Sequence, residues 1–264
     1  MKTIYYSDEI NDDFALPEGK SFNQKTIPSN YKYVHKNPIW HVFAFFFYRV
    51  VATTIAFLYC YIGKGLRVKN RKALKKLKGG FFFYGNHTSA AADAFVPSLL
   101  CFPKKNYVLA NADVVSIPFV RLMTPMMGAL PLPSTMGGMK NLITSMKTLT
   151  EKHTITIYPE AHIWPYYNDI RPFVDTSFNY PMKFNVPAVP FVTTFRKRKI
   201  LRFLKPFITV TVGDPIYPSE VKDKTEMRNL CYEFMKETVE KEHSYACINY
   251  VKREKQEKSE VETE

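Results

Sequence analysis

Cysteine is scarce and dispersed: Cys60, Cys101, Cys231 and Cys247 form no C-x-x-C pair and no metal-ligand spacing. That excludes a disulfide scaffold or a thiolate metal site and reads as reduced core thiols in a cytosol-facing protein. Acidic residues are also in deficit, 24 against 37 Lys and Arg. The net charge of +13 calls for a negatively charged partner: a phosphate-bearing small molecule, anionic lipid or nucleic acid. No nucleic-acid fingerprint accompanies the charge, which makes nucleic acid the weakest of the three. The first 38 residues lack the apolar run of a cleavable signal peptide, and the chain has no internal repeat and no H-x-x-x-H pair. Apolar residues are plentiful instead, at 46% with 21 Phe and 17 Tyr. In 264 residues that is enough for one substantial α/β domain with appendages.

Residues 1–38 read as a polar arm with an acidic patch at Asp8, Glu9, Asp12 and Asp13. Residues 39–63 are almost wholly apolar, with Arg49 as their one formal charge. A span needs about 20 such residues, but a mid-segment arginine costs roughly 2.5–3.5 kcal/mol there. The segment is therefore expected to lie in or dip into one leaflet with Arg49 reaching the headgroups, a buried core helix being the alternative. Lys64, Arg67, Lys69, Arg71, Lys72, Lys75, Lys76 and Lys78 follow with no acid between them. They read as a polybasic clamp on anionic lipid, each worth about 1 kcal/mol near the surface. The positive-inside rule then puts this side at the cytoplasmic face of a membrane.

From Gly80 onward, strand-length apolar runs (81–84, 107–110, 129–132, 154–158, 188–195 and 207–212) alternate with helical spacing near 91–100 and over 139–152. This predicts a mainly parallel sheet flanked by helices, preceded by the membrane-associated helix. A further amphipathic helix is expected over 219–242, with Met227, Leu230, Phe234 and Val239 on or near one face. The organisation expected is an arm (1–38), an apolar helix plus polybasic segment (39–78), an α/β domain (79–245) and a disordered tail (246–264).

Functional groups in such sheets gather beyond the carboxyl ends of the strands. Two apolar runs end that way: Phe81-Phe82-Phe83-Tyr84 leads to His87 with Asp93 downstream, and Ile155-Thr156-Ile157-Tyr158 leads to Glu160. An imidazole can take a proton near neutral pH, and a carboxylate can set its tautomer. The structural alternative leaves His87 at a strand end and Asp93 early in a helix, where the macrodipole favours a carboxylate.

Asn86-His87 with Asp93, Gly128 and its strand, Tyr158-Pro159-Glu160, and Val186-Pro187-Ala188-Val189-Pro190 stand in this order. The set resembles the glycerolipid acyltransferases typified by 1-acyl-glycerol-3-phosphate acyltransferase, over residues 64–217. The resemblance implies transfer of a fatty acyl group from acyl-CoA or acyl-carrier protein, as co-substrate and with no other cofactor, to a lysophospholipid or glycerol-phosphate-type hydroxyl. It gives His87 the part of general base, Asp93 that of its orienter, and Glu160 with Tyr158 the acceptor side. Three departures stand out. Five residues separate His87 from Asp93, where the family has four. Ser134 stands in the place of one family arginine, with Lys140 as a possible substitute. Ala161-His162-Ile163 replaces Gly-Thr-Arg, with Arg171 or His162 as possible substitutes out of register. Arg196 to Lys199 could bind phosphates or simply face solvent. Two other readings remain: a non-catalytic lipid-binding relative, and a metal-dependent hydrolase using His87, Asp93, Glu160 and His162.

Overall fold

The computed structural model describes residues 1–15, 26–112 and 118–253. The strands among them are β1 (Lys2–Tyr6), β2 (Arg67–Lys69), β3 (Phe82–Gly85), β4 (Asn106–Ala110), β5 (Ala129–Pro131), β6 (Thr154–Ile157), β7 (Ala188–Arg196), β8 (Phe207–Val212) and β9 (Ile248–Lys252). The main helices are α1 (Pro38–Gly63), α2 (Lys72–Lys75), α3 (Ala90–Cys101), α4 (Pro118–Met127), α5 (Met136–Leu149), α6 (Asn179–Phe184) and α7 (Lys224–Glu242).

Seven strands form one sheet in the order β2-β8-β7-β3-β6-β4-β5. The five from β7 to β5 run parallel, as the alternating pattern predicts. Only β8 turns back against β7, carrying β2 with it. Consecutive aromatics on the central strand explain its place. Phe81 and Phe83 pack into the apolar layer on one face, with α1, α2 and α3, and Phe82 and Tyr84 into the layer on the other, with α5 and α7. A strand buried on both faces needs apolar side chains at every position, and β3 has them.

Helix α1 begins where Asn37 accepts hydrogen bonds from the N–H groups of Ile39 and Trp40, with Pro38 at the first helical position. It is long and apolar enough to cross a membrane by length and composition. Its buried residues are Ala44, Tyr48, Ala56 and Cys60, with Ala52 half-buried between them, a stripe at intervals of four. In a regular α-helix such a stripe rotates by about 40° per step. Here two π-helical stretches, Phe47–Ala52 and Leu58–Gly63, unwind the turn and hold the stripe against the domain. The remaining faces expose Ile39, Val42, Phe43, Phe46, Ile55 and Ile62, among others.

Three sequence expectations are corrected. The 64–78 segment, read as a polybasic clamp on anionic lipid, is in part drawn into the domain: β2 joins the sheet edge, and Ala73, Leu74 and Leu77 are buried in its core. Arg71 donates to the carbonyls of Leu99, Leu100 and Phe102, satisfying the end of α3, and Lys69 pairs with Glu242. Arg67, Lys72, Lys75 and Lys76 are exposed. The tail expected to be disordered from 246 carries strand β9, which pairs in parallel with β1; residues 254–264 of that tail lie outside the described residues. The buried stripe of α7 is Met227, Cys231, Met235, Thr238 and Val239, whereas Leu230 points outward. The short α4 had no readable signal in the sequence.

Candidate active site

The turn after β3 carries the chemistry. The last residue of the strand, Gly85, has no room for a side chain, because an added Cβ would sit 2.2 Å from the Phe191 ring. Asn86 follows, buried, and its side-chain amide exchanges two hydrogen bonds with the backbone of Thr193 on β7 (2.8 and 3.0 Å). His87 comes next, and its Nδ1 lies 2.8 Å from Asp93 Oδ2. The fifth intervening residue is absorbed before the helix. Ser89 is extended (φ −157°, ψ 96°), α3 starts at Ala90, and Asp93 completes its first turn. On a continuous helix six residues would point the two side chains apart; here only the last four positions are helical. Ser89 occupies the N-cap without a side-chain bond, and the Asp93 carboxylate accepts from the Ser89 N–H at 2.8 Å instead. One carboxylate thus caps the helix and holds the imidazole.

The backbone of this turn is pinned from a second loop. Trp164 N–H donates to the His87 carbonyl and Tyr166 N–H to that of Thr88. The His87 N–H donates to Glu160 Oε2 at 3.1 Å. The Tyr158 ring stacks on the imidazole at 4.7 Å, and its hydroxyl donates to the Asp93 carbonyl at 2.6 Å. Burial raises the Tyr158 phenol well above its ordinary value, so it stays a neutral donor. Asp93 is 3% exposed, while 23% of the His87 side chain is exposed. With Nδ1 engaged by Asp93, Nε2 is left without a partner among the described residues. Such an imidazole can take a proton from a hydroxyl brought to it.

Glu160 and Arg171, expected on the acceptor side, are both buried. Arg171 Nη2 lies 3.1 Å from Glu160 Oε2, and the Arg171 N–H donates to Oε1. The guanidinium also reaches the carbonyls of His162 and Glu9 and stacks over Trp164. Burial pushes the Glu160 carboxyl up from its ordinary value, opposed by Arg171 and by the two backbone N–H donors. Lys140 is exposed on α5, after the edge strand β5, and no contact joins it to His87. His162 faces Asp13 of the amino-terminal arm (3.3 Å), away from His87 and Asp93. Among the described residues no three His, Cys, Asp or Glu side chains are grouped to hold a metal ion.

Sequence reading missed Asn86 as a staple, Trp164 as a hub, and the arm as part of the site's support. Trp164 stacks on Tyr250 of β9, touches Tyr6 and Phe14, and donates from Nε1 to the Asp12 carbonyl. An isolated tryptophan after an altered motif carried no such signal.

Residues 65–194 match the family described as Acyltransferase. The chain carries an acyltransferase domain. In fold it is similar to the 1-acyl-sn-glycerophosphate acyltransferase PlsC of Thermotoga maritima (TM-score 0.56, 17% identity, 79% of this chain and 90% of that one covered). No curated protein sequence matches it. The acyltransferase motif also explains one departure. Ala161 stands where the family has glycine and adopts φ +61°, a conformation costing a residue with Cβ roughly 1–2 kcal/mol. Ala161→Gly should therefore raise stability by up to about 1 kcal/mol, net of the added chain freedom, read as a higher urea midpoint.

Proposed function

We propose that the protein is a membrane-associated O-acyltransferase that moves a fatty acyl group from acyl-CoA or acyl-carrier protein to a lysophospholipid or glycerol-phosphate-type hydroxyl. The observation that carries this reading is the 2.8 Å contact between His87 Nδ1 and Asp93, made despite the extra residue, beyond the carboxyl end of a parallel strand. His87 Nε2 takes the hydroxyl proton as that oxygen bonds to the thioester carbon. The carbon–sulfur bond then breaks, and the proton passes to the leaving thiolate. Asp93 keeps Nδ1 protonated and balances the imidazolium. Glu160 and Arg171 act beneath this pair as positioning residues, because both side chains are buried and paired with each other. With Ser134 and Ile163 in place of the family's arginines, the acceptor's negative charge falls to cations that meet the turn through Tyr166. Lys64 donates to the Tyr166 hydroxyl at 2.9 Å, and Lys205 lies 4.9 Å from its ring; the Tyr166 N–H in turn holds Thr88.

Membrane association is supported at the Gly63 end of α1 as well as along its apolar face. The β7–β8 turn carries Arg198, Lys199, Arg202 and Lys205 with no acid between Phe195 and Asp214. At its tip Ile200 and Phe203 are 80% and 83% exposed. Arg198 ties this turn to α1 by donating to the Gly63 carbonyl at 2.8 Å. An apolar tip ringed by cations suits an anionic leaflet. Replacing both Ile200 and Phe203 by serine should weaken partition into anionic vesicles by about tenfold or more, measured by sedimentation. The excess of Lys and Arg beside α1 supports the cytoplasmic face as the side on which the domain lies.

The test is incubation of the purified protein in anionic vesicles with acyl-CoA or acyl-carrier protein and a panel of lysolipids, read by mass spectrometry. Diacyl product that requires His87 supports the enzyme and identifies its acceptor. No product from any pair, with the protein folded and vesicle-bound, favours a non-catalytic lipid binder, the reading to which the absent arginines belong.

A further inference from the structure

A cleft lies at the opposite edge of the sheet from His87, where β4 and β6 begin. Its volume is about 720 Å³. One wall is the first half of α1, with Trp40, Phe45, Tyr48 and Arg49; the other carries Lys105, Lys152 and His153. Among the described residues every charged group lining it is a base, and no carboxylate faces it.

Lys105 is the group that asks for a partner. Its Nζ sits among three aromatic rings, 4.9 Å from Tyr107, 5.3 Å from Tyr48 and 5.9 Å from Trp40, and no ion pair reaches it among the described residues. Burial pushes its ammonium down to about 8. Beside it, His153 Nδ1 is buried with no hydrogen-bond partner. The surrounding cations differ in how far they are already used. Lys104 donates to the carbonyls of Leu77 and Gly79, and Arg49 to that of Pro103, whereas Lys152 is exposed and without an ion pair among the described residues. Desolvated positive charge without a counter-ion is unfavourable, and an arriving anion relieves it.

We propose that this cleft binds the phosphate of an anionic glycerophospholipid through Lys105 and Lys152, with the acyl chains lying along the exposed face of α1. The apolar part of the ligand is argued from Val42 and Phe45, which line the cleft and are exposed on that face. The negative net charge is argued from the missing carboxylate: the ammonium of a zwitterionic headgroup would meet only other cations. The aromatic cage that could receive such an ammonium already holds Lys105. The site rests on the placement of α1 in a leaflet and is independent of acyl transfer. A lipid held there fixes the depth of α1, and with it the height of the His87 edge above the bilayer.

The experiment titrates the full-length protein with dihexanoyl phosphatidylglycerol, dihexanoyl phosphatidylcholine and inorganic phosphate, by calorimetry and without any acyl donor. Saturable binding of the phosphatidylglycerol, about tenfold tighter than either other probe, is expected. Lys105→Met and Lys152→Glu should each weaken it by about tenfold, the worth of a charge-assisted contact. His87→Ala should leave it unchanged, which separates this site from the failure or success of the acyltransferase reading. Lys152 is exposed, so its variant tests the site even if Lys105→Met compromises folding. Equal binding of the two lipids overturns the proposal, as does inorganic phosphate binding as tightly as lipid, or affinity indifferent to both substitutions.

Discussion

His87→Ala is expected to lower the rate of acyl transfer by about 10²–10⁴-fold, the usual contribution of a positioned general base, while the protein stays folded and bound to vesicles. The two effects separate because the turn is held by groups the substitution does not touch. Asn86 ties it to β7, Glu160 takes the backbone N–H at position 87, and Trp164 and Tyr166 take the carbonyls of residues 87 and 88. The lost side chain gives up only its stacking on Tyr158 and its bond to Asp93. Asp93→Asn probes the same pair from the other side. It removes the charge that balances the imidazolium and keeps a shape able to accept from the Ser89 N–H. Its loss should fall in kcat with vesicle affinity intact. Product formation by mass spectrometry over a range of acceptor concentrations decides both cases. Activity that survives His87→Ala removes the general-base role.

Arg171→Met is expected to destabilise the fold by roughly 3–5 kcal/mol, the cost of leaving one member of a buried ion pair behind. Glu160 would keep its backbone donors and lose the guanidinium paired with it. The pH dependence follows from the direction of its shift. Burial already raises the Glu160 carboxyl, and without Arg171 the folded state holds that proton more tightly still. Protonation then favours the folded variant, so its deficit against wild type is smallest at acid pH and grows as pH rises to neutrality. Urea midpoints at pH 5 and pH 8 measure this. The double variant Glu160→Gln with Arg171→Met should recover most of the loss, because no buried charge remains. A deficit that is independent of pH, or that the double variant does not reduce, would mean the pair is not the origin of the effect.

The chemistry is written locally along the chain, and so it could be read there. His87 and Glu160 each follow an apolar run of strand length, and parallel strands bring such ends to one edge of the sheet by the rules of strand twist and crossover. The same holds for the apolar stretch of α1 and for the charge imbalance beside it. Lys64 to Lys78 show the limit of this kind of reading: a run of like charge says nothing about which members face inward, and Arg71 proved to cap α3 while its neighbours stayed in water. Glu160 shows it again. A carboxylate after a strand reads the same whether it meets a substrate or an internal arginine, and the arginine arrives from eleven residues further on.

By itself, then, the sequence determined the parallel α/β architecture, the edge where the reacting groups lie, and the His87–Asp93 pairing as a possibility. Periodicity and strand-end placement carry all three, and both are properties of short segments. Only the tertiary structure decided that the five-residue spacing closes to 2.8 Å, because that depends on the helix beginning at Ala90 and not before it. The tertiary structure likewise decided that Glu160 and Arg171 are buried together, that the paired strands β1 and β9 bring Tyr6 and Tyr250 against Trp164, and that Lys105 stands among three aromatic rings. Those outcomes rest on contacts between residues far apart in sequence, whose free energy is set by burial and by the partners available after the chain has collapsed.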